Sequence, residues 1–201
     1  MRKTDIFLTG VGGQGSLTAS RLLGEAALAA GLNVLVGEIH GMAQRGGVVE
    51  STVRVGDVHG AMISDGGADV LLGFEPVETV RALAKAGPNT LVVSNTRPVV
   101  PFSVSLKSLR YPPLEELLGA VRAVTKHLVA LDAAALAQQA GSGRAVNSVM
   151  LGVLAGTGRL PFPAHLLLDV ILKAVPAKQA EANRRAFAAG EEFGRRAAAG
   201  F

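Results

Sequence analysis

Gly10-Val11-Gly12-Gly13-Gln14-Gly15 follows a short apolar run, Ile6-Phe7-Leu8-Thr9, and precedes a long Ala/Leu-rich stretch from Ser16 to Ala30. That context reads as strand, glycine turn, helix. Gly10, Gly12 and Gly15 fit the G-x-G-x-x-G spacing of a dinucleotide fingerprint. Gly10 allows a tight turn out of the strand, Gly12 lets a backbone or ligand come close, and Gly15 lets the helix pack on the sheet. The first N–H groups of that helix favour an anion above them. The same spacing also serves a purely structural turn, so the fingerprint alone does not assign a ligand.

Outward from this turn, the helix closes at Gly31. Asn33 to Gly37 reads as a second, buried parallel strand, followed by Glu38 at the place where a Rossmann unit carries its ribose-binding acid. The first forty residues therefore match a βαβ unit. The next stretch, Glu38-Ile39-His40-Gly41-Met42-Ala43-Gln44-Arg45-Gly46-Gly47, is a polar, glycine-rich loop with no place in a dehydrogenase. Glu50 to Val55 alternates as a strand, and Val58 to Ile63 is expected to return as a hairpin after the Gly56-Asp57 turn. Val70 to Gly73 is a short buried strand, Pro76 opens a helix to Ala86, and Thr90 to Ser94 is the next strand. Prolines break regular structure between Arg97 and Pro113. Pro113 to Val124 is helical, His127 to Leu131 a strand, and Asp132 caps a helix over Ala133–Ala140. Helices over Arg144–Gly156, Pro163–Val175 and Lys178–Ala198 complete the chain. The expected fold is α/β: a Rossmann-like three-layer arrangement with a mostly parallel sheet, a β-hairpin insertion and a helical C-terminal region, in a single domain over 1–201.

Composition narrows the function. The chain has 201 residues, 49% of them hydrophobic, and a formal net charge of +4. That suits a packed core rather than a disordered chain. No apolar run reaches the length of a membrane span, and the N-terminus has no signal-peptide core, so a cytoplasmic protein is expected. With no cysteine, thiol catalysis and an iron–sulfur cluster on the chain's own thiolates are excluded. Arg184, Arg185, Arg195 and Arg196 alternate with Glu181, Glu191 and Glu192, which reads as a solvated helix face rather than a nucleic-acid surface.

Few side chains offer chemistry. Ser16 stands where a Walker A loop needs Lys, and no G-x-S-x-G elbow occurs. His40, His59, His127 and His165 lack metal-ligand spacing, so no metal site is expected. Asp65 and Asp69 read as turn residues. Glu38, His40, Gln44 and Arg45 form the one polar cluster with a functional character. A hydrogen-bonded structural loop and a ligand-contacting loop both remain open for it.

Three segments in order carry a family resemblance: the turn Gly10–Gly15, the loop Glu38–Gly47, and Asp69-Val70-Leu71-Leu72-Gly73-Phe74-Glu75-Pro76. With Arg144-Ala145-Val146-Asn147, Met150-Leu151-Gly152, and Asn183 with Ala186-Phe187 and Gly190, they resemble the gamma subunit or domain of 2-oxoacid:ferredoxin oxidoreductases. The likeness covers nearly the whole chain and leans toward the small subunit of the indolepyruvate enzymes. It implies a subunit, inactive alone, of an enzyme that oxidatively decarboxylates a 2-oxoacid to an acyl-CoA. Thiamine diphosphate, Mg and iron–sulfur clusters would sit in a large partner subunit, with CoA as co-substrate and ferredoxin reached through the complex. No cofactor, nucleic acid or membrane is expected on this chain itself. Gly12, Gly13, Gln14 and Gly15 would contact a phosphate, such as that of CoA. Glu38, His40, Gln44 and Arg45, with Arg144 and Asn147, would face the partner's active site. Arg144 and Asn147 also read as a helix cap and a buried hydrogen bond, and Asn183 as a tie between helices. Related enzymes for pyruvate, 2-oxoglutarate or branched-chain 2-oxoacids are the alternatives. A stand-alone NAD(P)-binding Rossmann protein and a non-catalytic nucleotide-binding module are the alternatives of another class.

Overall fold

Apolar residues alternate between two faces along the central strands, and this alternation builds the molecule. The computed structural model describes residues 3–40, 46–99 and 111–201, with His40 described by its backbone alone. Strands β1 (Thr4–Val11), β2 (Val34–His40), β3 (Val48–Val55), β4 (Val70–Gly73), β5 (Leu91–Asn95) and β6 (Leu128–Leu131) form one sheet in the order β2-β3-β1-β4-β5-β6. Strands β1, β4, β5 and β6 run parallel, and β3 runs antiparallel to both β1 and β2. Ile6, Leu8, Val70, Leu72, Leu91 and Val93 face one layer; Phe7, Leu71 and Val92 face the other. The first layer holds α1 (Ser16–Ala29), α4 (Ala133–Gln139), α5 (Val146–Gly156), α6 (Ala164–Ala174) and α7 (Ala177–Ala198). The second holds α2 (Pro76–Arg81) and α3 (Leu114–Val124). The expected three-layer α/β fold with a mostly parallel sheet is therefore present.

The βαβ expectation needs correction. β2 is neither buried nor paired to a parallel neighbour: among the described residues it is an edge strand, bonded only to antiparallel β3, with Val36 40% and Ile39 48% exposed. β3 has inserted between β1 and β2, so the unit is split. The hairpin is correspondingly β2 with β3, joined through residues 41–47. The expected return strand over Val58–Ile63 does not form. That segment instead lies as an arm across β3, where Thr52 Oγ1 donates to the Ala61 carbonyl at 2.7 Å and Arg54 Nη1 donates to those of Gly60 and Met62 at 2.7 and 2.8 Å. Side chains of β3 take the hydrogen bonds that a returning strand would have made through its backbone. The helix opened by Pro76 also stops early, at Arg81, and continues as a 3₁₀ turn over Ala82–Lys85.

The C-terminal helices pack at backbone distance. A Cβ on Gly152 would lie 2.2 Å from the Phe187 carbonyl oxygen, one on Gly190 2.2 Å from that of Val149, and one on Gly194 2.1 Å from that of Val153. Small residues four apart on α5 (Gly152, Gly156) and on α7 (Gly190, Gly194) thus let the two helices touch. Ser148 Oγ donates to Asn183 Oδ1 at 2.7 Å across the same contact, the expected tie between helices. On the outer side, Arg184, Arg195 and Arg196 pair with Glu181, Glu191 and Glu192, a solvated face as expected.

Candidate functional site

In an open sheet the connections from neighbouring parallel strands can leave toward opposite faces, and a crevice opens where they part. Here that happens between β1 and β4. The chain leaves β1 for α1 on the first face and leaves β4 for α2 on the second. The glycine turn lies at this point, which is where the fingerprint places it.

The turn is stitched to its surroundings by side-chain amides. Gln14 Oε1 accepts from the Val11 N–H at 2.7 Å, and Gln14 Nε2 donates to the Phe74 carbonyl at 3.1 Å, so this residue bridges the two strand ends. The same Phe74 carbonyl accepts from Asn95 Nδ2 at 3.1 Å. Asn95 Oδ1 accepts from the N–H groups of Ala133 (3.1 Å) and Arg97 (3.3 Å), which ties β5 to the start of α4. From the far end of the chain, Asn147 Nδ2 donates to the Gly15 carbonyl at 3.0 Å. Gly15 is the N-cap of α1 at φ 85°, where only glycine is comfortable. Gly13, at φ 103°, has no atom within 4 Å of where a Cβ would lie, so its backbone faces open space.

Beside this lattice is a crevice of about 230 Å³, lined by Gln14, Phe74, Asn95, Arg97, Val99 and Val146 among others. Its walls are mostly apolar, with the Arg97 guanidinium as the cation. Behind it, Glu75 is fully buried. Its Oε2 accepts from the Glu78 N–H at 3.0 Å, and its Oε1 accepts from the Tyr111 hydroxyl at 2.5 Å and the Val99 N–H at 3.3 Å. One carboxylate thus fixes both Val99 and Tyr111. Burial, then the hydrogen bond to Glu75, pushes the Tyr111 phenol well above its ordinary range. Glu78 is also buried, and burial raises its pKa against the pull of Arg81, whose Nη1 lies 2.8 Å away.

The structure brings some expected residues together and separates others. Gly12, Gly13, Gln14, Gly15 and Asn147 converge. The N–H groups of Gly12 and Gln14 are already engaged, donating to the carbonyls of Gly47 (2.8 Å) and Val11 (3.0 Å). The first of these bonds joins the glycine turn to the end of the Glu38–Gly47 segment. The His40 backbone lies in register with Val49, and Val49 with Gly10, in one row across three strands. Glu38 is exposed on β2, separated from the glycine turn by the intervening β3. That puts it about 10 Å farther across the sheet than β1 itself, too far for the ribose role of a Rossmann acid. Arg144 is exposed in the turn before α5. Gln44 and Arg45 lie outside the described residues. Asp65 pairs with Lys85 at 2.7 Å and Asp69 Oδ2 accepts from the Asp5 N–H at 2.8 Å, as turn residues do.

Sequence reasoning missed Asn95 and the Glu75–Tyr111 pair. Asn95 had a signal: a polar residue directly after an apolar parallel strand lies at the crevice end of the sheet. Tyr111 had none, because it meets Glu75 only through the tertiary fold. Among the described residues, no group of three or more His, Asp or Glu side chains could hold a metal ion. No described helix is long and apolar enough to cross a membrane.

Residues 5–193 match the family model described as pyruvate ferredoxin/flavodoxin oxidoreductase. The chain belongs to this family. It is 45% identical over 192 residues to an indolepyruvate oxidoreductase subunit IorB of Pyrococcus horikoshii, covering 94% of this chain and 95% of that one. The same-named subunit of Archaeoglobus fulgidus is 42% identical over 188 residues, covering 94% of each. Among solved structures, the gamma subunit of a keto/oxoacid ferredoxin oxidoreductase from Geobacter sulfurreducens superposes with a TM-score of 0.70 at 22% identity, over 96% of this chain and 99% of that chain. Pyruvate oxidoreductase subunit PORC of Thermotoga maritima gives a TM-score of 0.66 at 26% identity, over 96% and 97%.

Proposed function

We propose that the chain is the small subunit of a thiamine-dependent indolepyruvate or arylpyruvate ferredoxin oxidoreductase, acting in the cytoplasm and inactive alone. The observation that carries this reading is 45% identity to an indolepyruvate oxidoreductase subunit along nearly the full length of both chains. The site supports a positioning role. Its side-chain amides hold backbone in place. Thiamine diphosphate, Mg and the iron–sulfur clusters belong to a large partner subunit. There they supply the carbanion and electron-transfer chemistry.

In this reading the chain completes the partner's active site. The glycine turn, Gly12, Gly13, Gln14 and Gly15, presents the open backbone at Gly13 to a phosphate such as that of CoA. Gln14 acts through the backbone it bridges. Glu38, His40, Gln44 and Arg45 face the partner, and the Gly12–Gly47 hydrogen bond couples that loop to the turn. Arg144 and Asn147 flank the same end of the sheet.

Co-expression with the large subunit, followed by CoA-dependent oxidation assays with a one-electron dye as acceptor, tests the reading. Indolepyruvate should be oxidised with the highest kcat/KM among indolepyruvate, pyruvate, 2-oxoglutarate and branched-chain 2-oxoacids. A preference for one of the others assigns the chain to a sister enzyme. Tight NADH binding by the isolated chain, measured by titration calorimetry, would overturn the subunit reading.

A further inference from the structure

Among the described residues, no strand covers the outer edge of β2. β2 pairs with β3 in an unbroken ladder from Val34↔Val55 to His40↔Val49, without a bulge. Exposed edges are ordinarily blunted by Pro, by charged side chains, Lys above all, by a bulge or by a covering loop. Val34-Leu35-Val36-Gly37-Glu38-Ile39-His40 has no Pro, Lys or Arg and no bulge, and Glu38 is its single acidic charge. Most of the large apolar side chains left exposed on the described surface gather here. Val36 (40%) and Leu28 (63%) lie on the α1 side, and Ile39 (48%), Val48 (36%) and Met62 (63%) on the other. An exposed apolar band flanking unpaired backbone on both faces is the pattern of a strand that expects a neighbour.

Charge disfavours a second copy of this chain in the central registers. Glu38 is exposed beside Val36, and no ion pair reaches it among the described residues; the nearby Arg21 is paired to Glu25 at 3.3 Å. A second copy of this chain pairing antiparallel about Gly37 would set the two Glu38 carboxylates diagonally on one face, about 7–8 Å apart. Pairing about Glu38 would set them directly opposite. Like charges directly opposite destabilise a ladder, and diagonal neighbours remain within reach of long side chains. A different chain bearing a Lys or Arg there does not meet this penalty.

We infer that β2 is the docking edge for the large catalytic subunit, which adds a strand to the sheet with apolar residues on both faces and a cation opposite Glu38. This rests on the subunit reading above. It adds the surface and the mode of assembly.

The test is hydrogen–deuterium exchange on the free chain and on the purified complex of both subunits. The β2 amides that point away from β3 should exchange at least about tenfold more slowly in the complex. Ile39→Lys and Glu38→Lys should each weaken assembly by about tenfold or more, while Phe201→Ser, at an exposed apolar residue elsewhere, should not. Complex formation with unchanged exchange over residues 34–40 overturns the edge inference and leaves the subunit reading standing. Failure of the two chains to associate overturns both. Concentration-dependent protection of β2 in the free chain would give the edge to a second copy and overturn the inference.

Discussion

Asn147 holds the Gly15 carbonyl at 3.0 Å across 132 residues of sequence, so the N-terminus of α5 fixes the first turn of α1. The contact is tight from both sides, since a Cβ on Gly15 would lie 2.4 Å from Asn147 Nδ2. Asn147→Ala should cost about 1 kcal/mol, the net worth of one hydrogen bond. Gly15→Ala should cost more, because it adds a strained left-handed backbone to the clash. In a double-mutant cycle read by urea denaturation, the two should couple by at least about 0.5 kcal/mol, since removing the amide relieves the clash and leaves the backbone strain. Strict additivity would show that the amide does not set the turn.

The α5–α7 contact makes opposite predictions for glycine replacements. At Gly152 and Gly190 an added methyl meets backbone carbonyls that cannot rotate away. Either Gly→Ala change should force the helices apart and destabilise by about 2–4 kcal/mol. Gly119 lies on the exposed face of α3 with nothing within 4 Å of its Cβ position. Gly119→Ala should instead stabilise by about 0.5–1 kcal/mol through helix propensity. Denaturation midpoints of the three variants decide the matter. Equal effects at all three sites would contradict close helix contact.

Tyr111 is the chain's only tyrosine, and Trp is absent, so its ionisation is readable at 295 nm without deconvolution. Burial and the Glu75 hydrogen bond raise its pKa above the ordinary 10.0. The native chain should therefore show no phenolate absorbance as pH passes 10, and the signal should emerge only with unfolding. A normal titration curve would mean that the phenol does not reach Glu75. Tyr111→Phe should cost about 1.5–3 kcal/mol, the range for a hydrogen bond to a charged group.

Acid stability turns on Asp5. Burial alone would raise its pKa. Arg54 at 2.8 Å and Lys3 at 2.8 Å outweigh that and lower it below the ordinary 3.8. A carboxylate with a depressed folded pKa contributes stability that is fully present above its unfolded value and is lost as pH falls through the folded one. Stability should decline below about pH 4. Arg54→Met should flatten that decline, since it removes the main partner, and should also release the 58–63 arm that Arg54 holds. An unchanged pH slope in Arg54→Met would move the acid sensitivity elsewhere.

The sequence by itself determined the local elements and the family. The apolar run before Gly10, the helix after Gly15, the short strand Val70–Gly73, the strand read at Thr90–Ser94 and found at Leu91–Asn95, and the Asp132 cap, whose Oδ1 accepts from the Ala135 N–H at 2.9 Å, are set by residues adjacent in the chain. The Glu38–Gly47 segment carries the family signal in one contiguous word. Tertiary structure decided what those elements meet. A strand's alternation does not name its neighbour, so nothing local could tell that β3 would enter between β1 and β2 and leave β2 at the edge. For the same reason Val58–Ile63 read as a strand: its apolar residues are real, and its backbone is held by Thr52 and Arg54 instead of a ladder. The crevice belongs to the same class of fact. Gln14, Phe74, Asn95 and Val146 line it from four separate segments, and only the folded sheet brings the amides of Gln14 and Asn95 onto the Phe74 carbonyl.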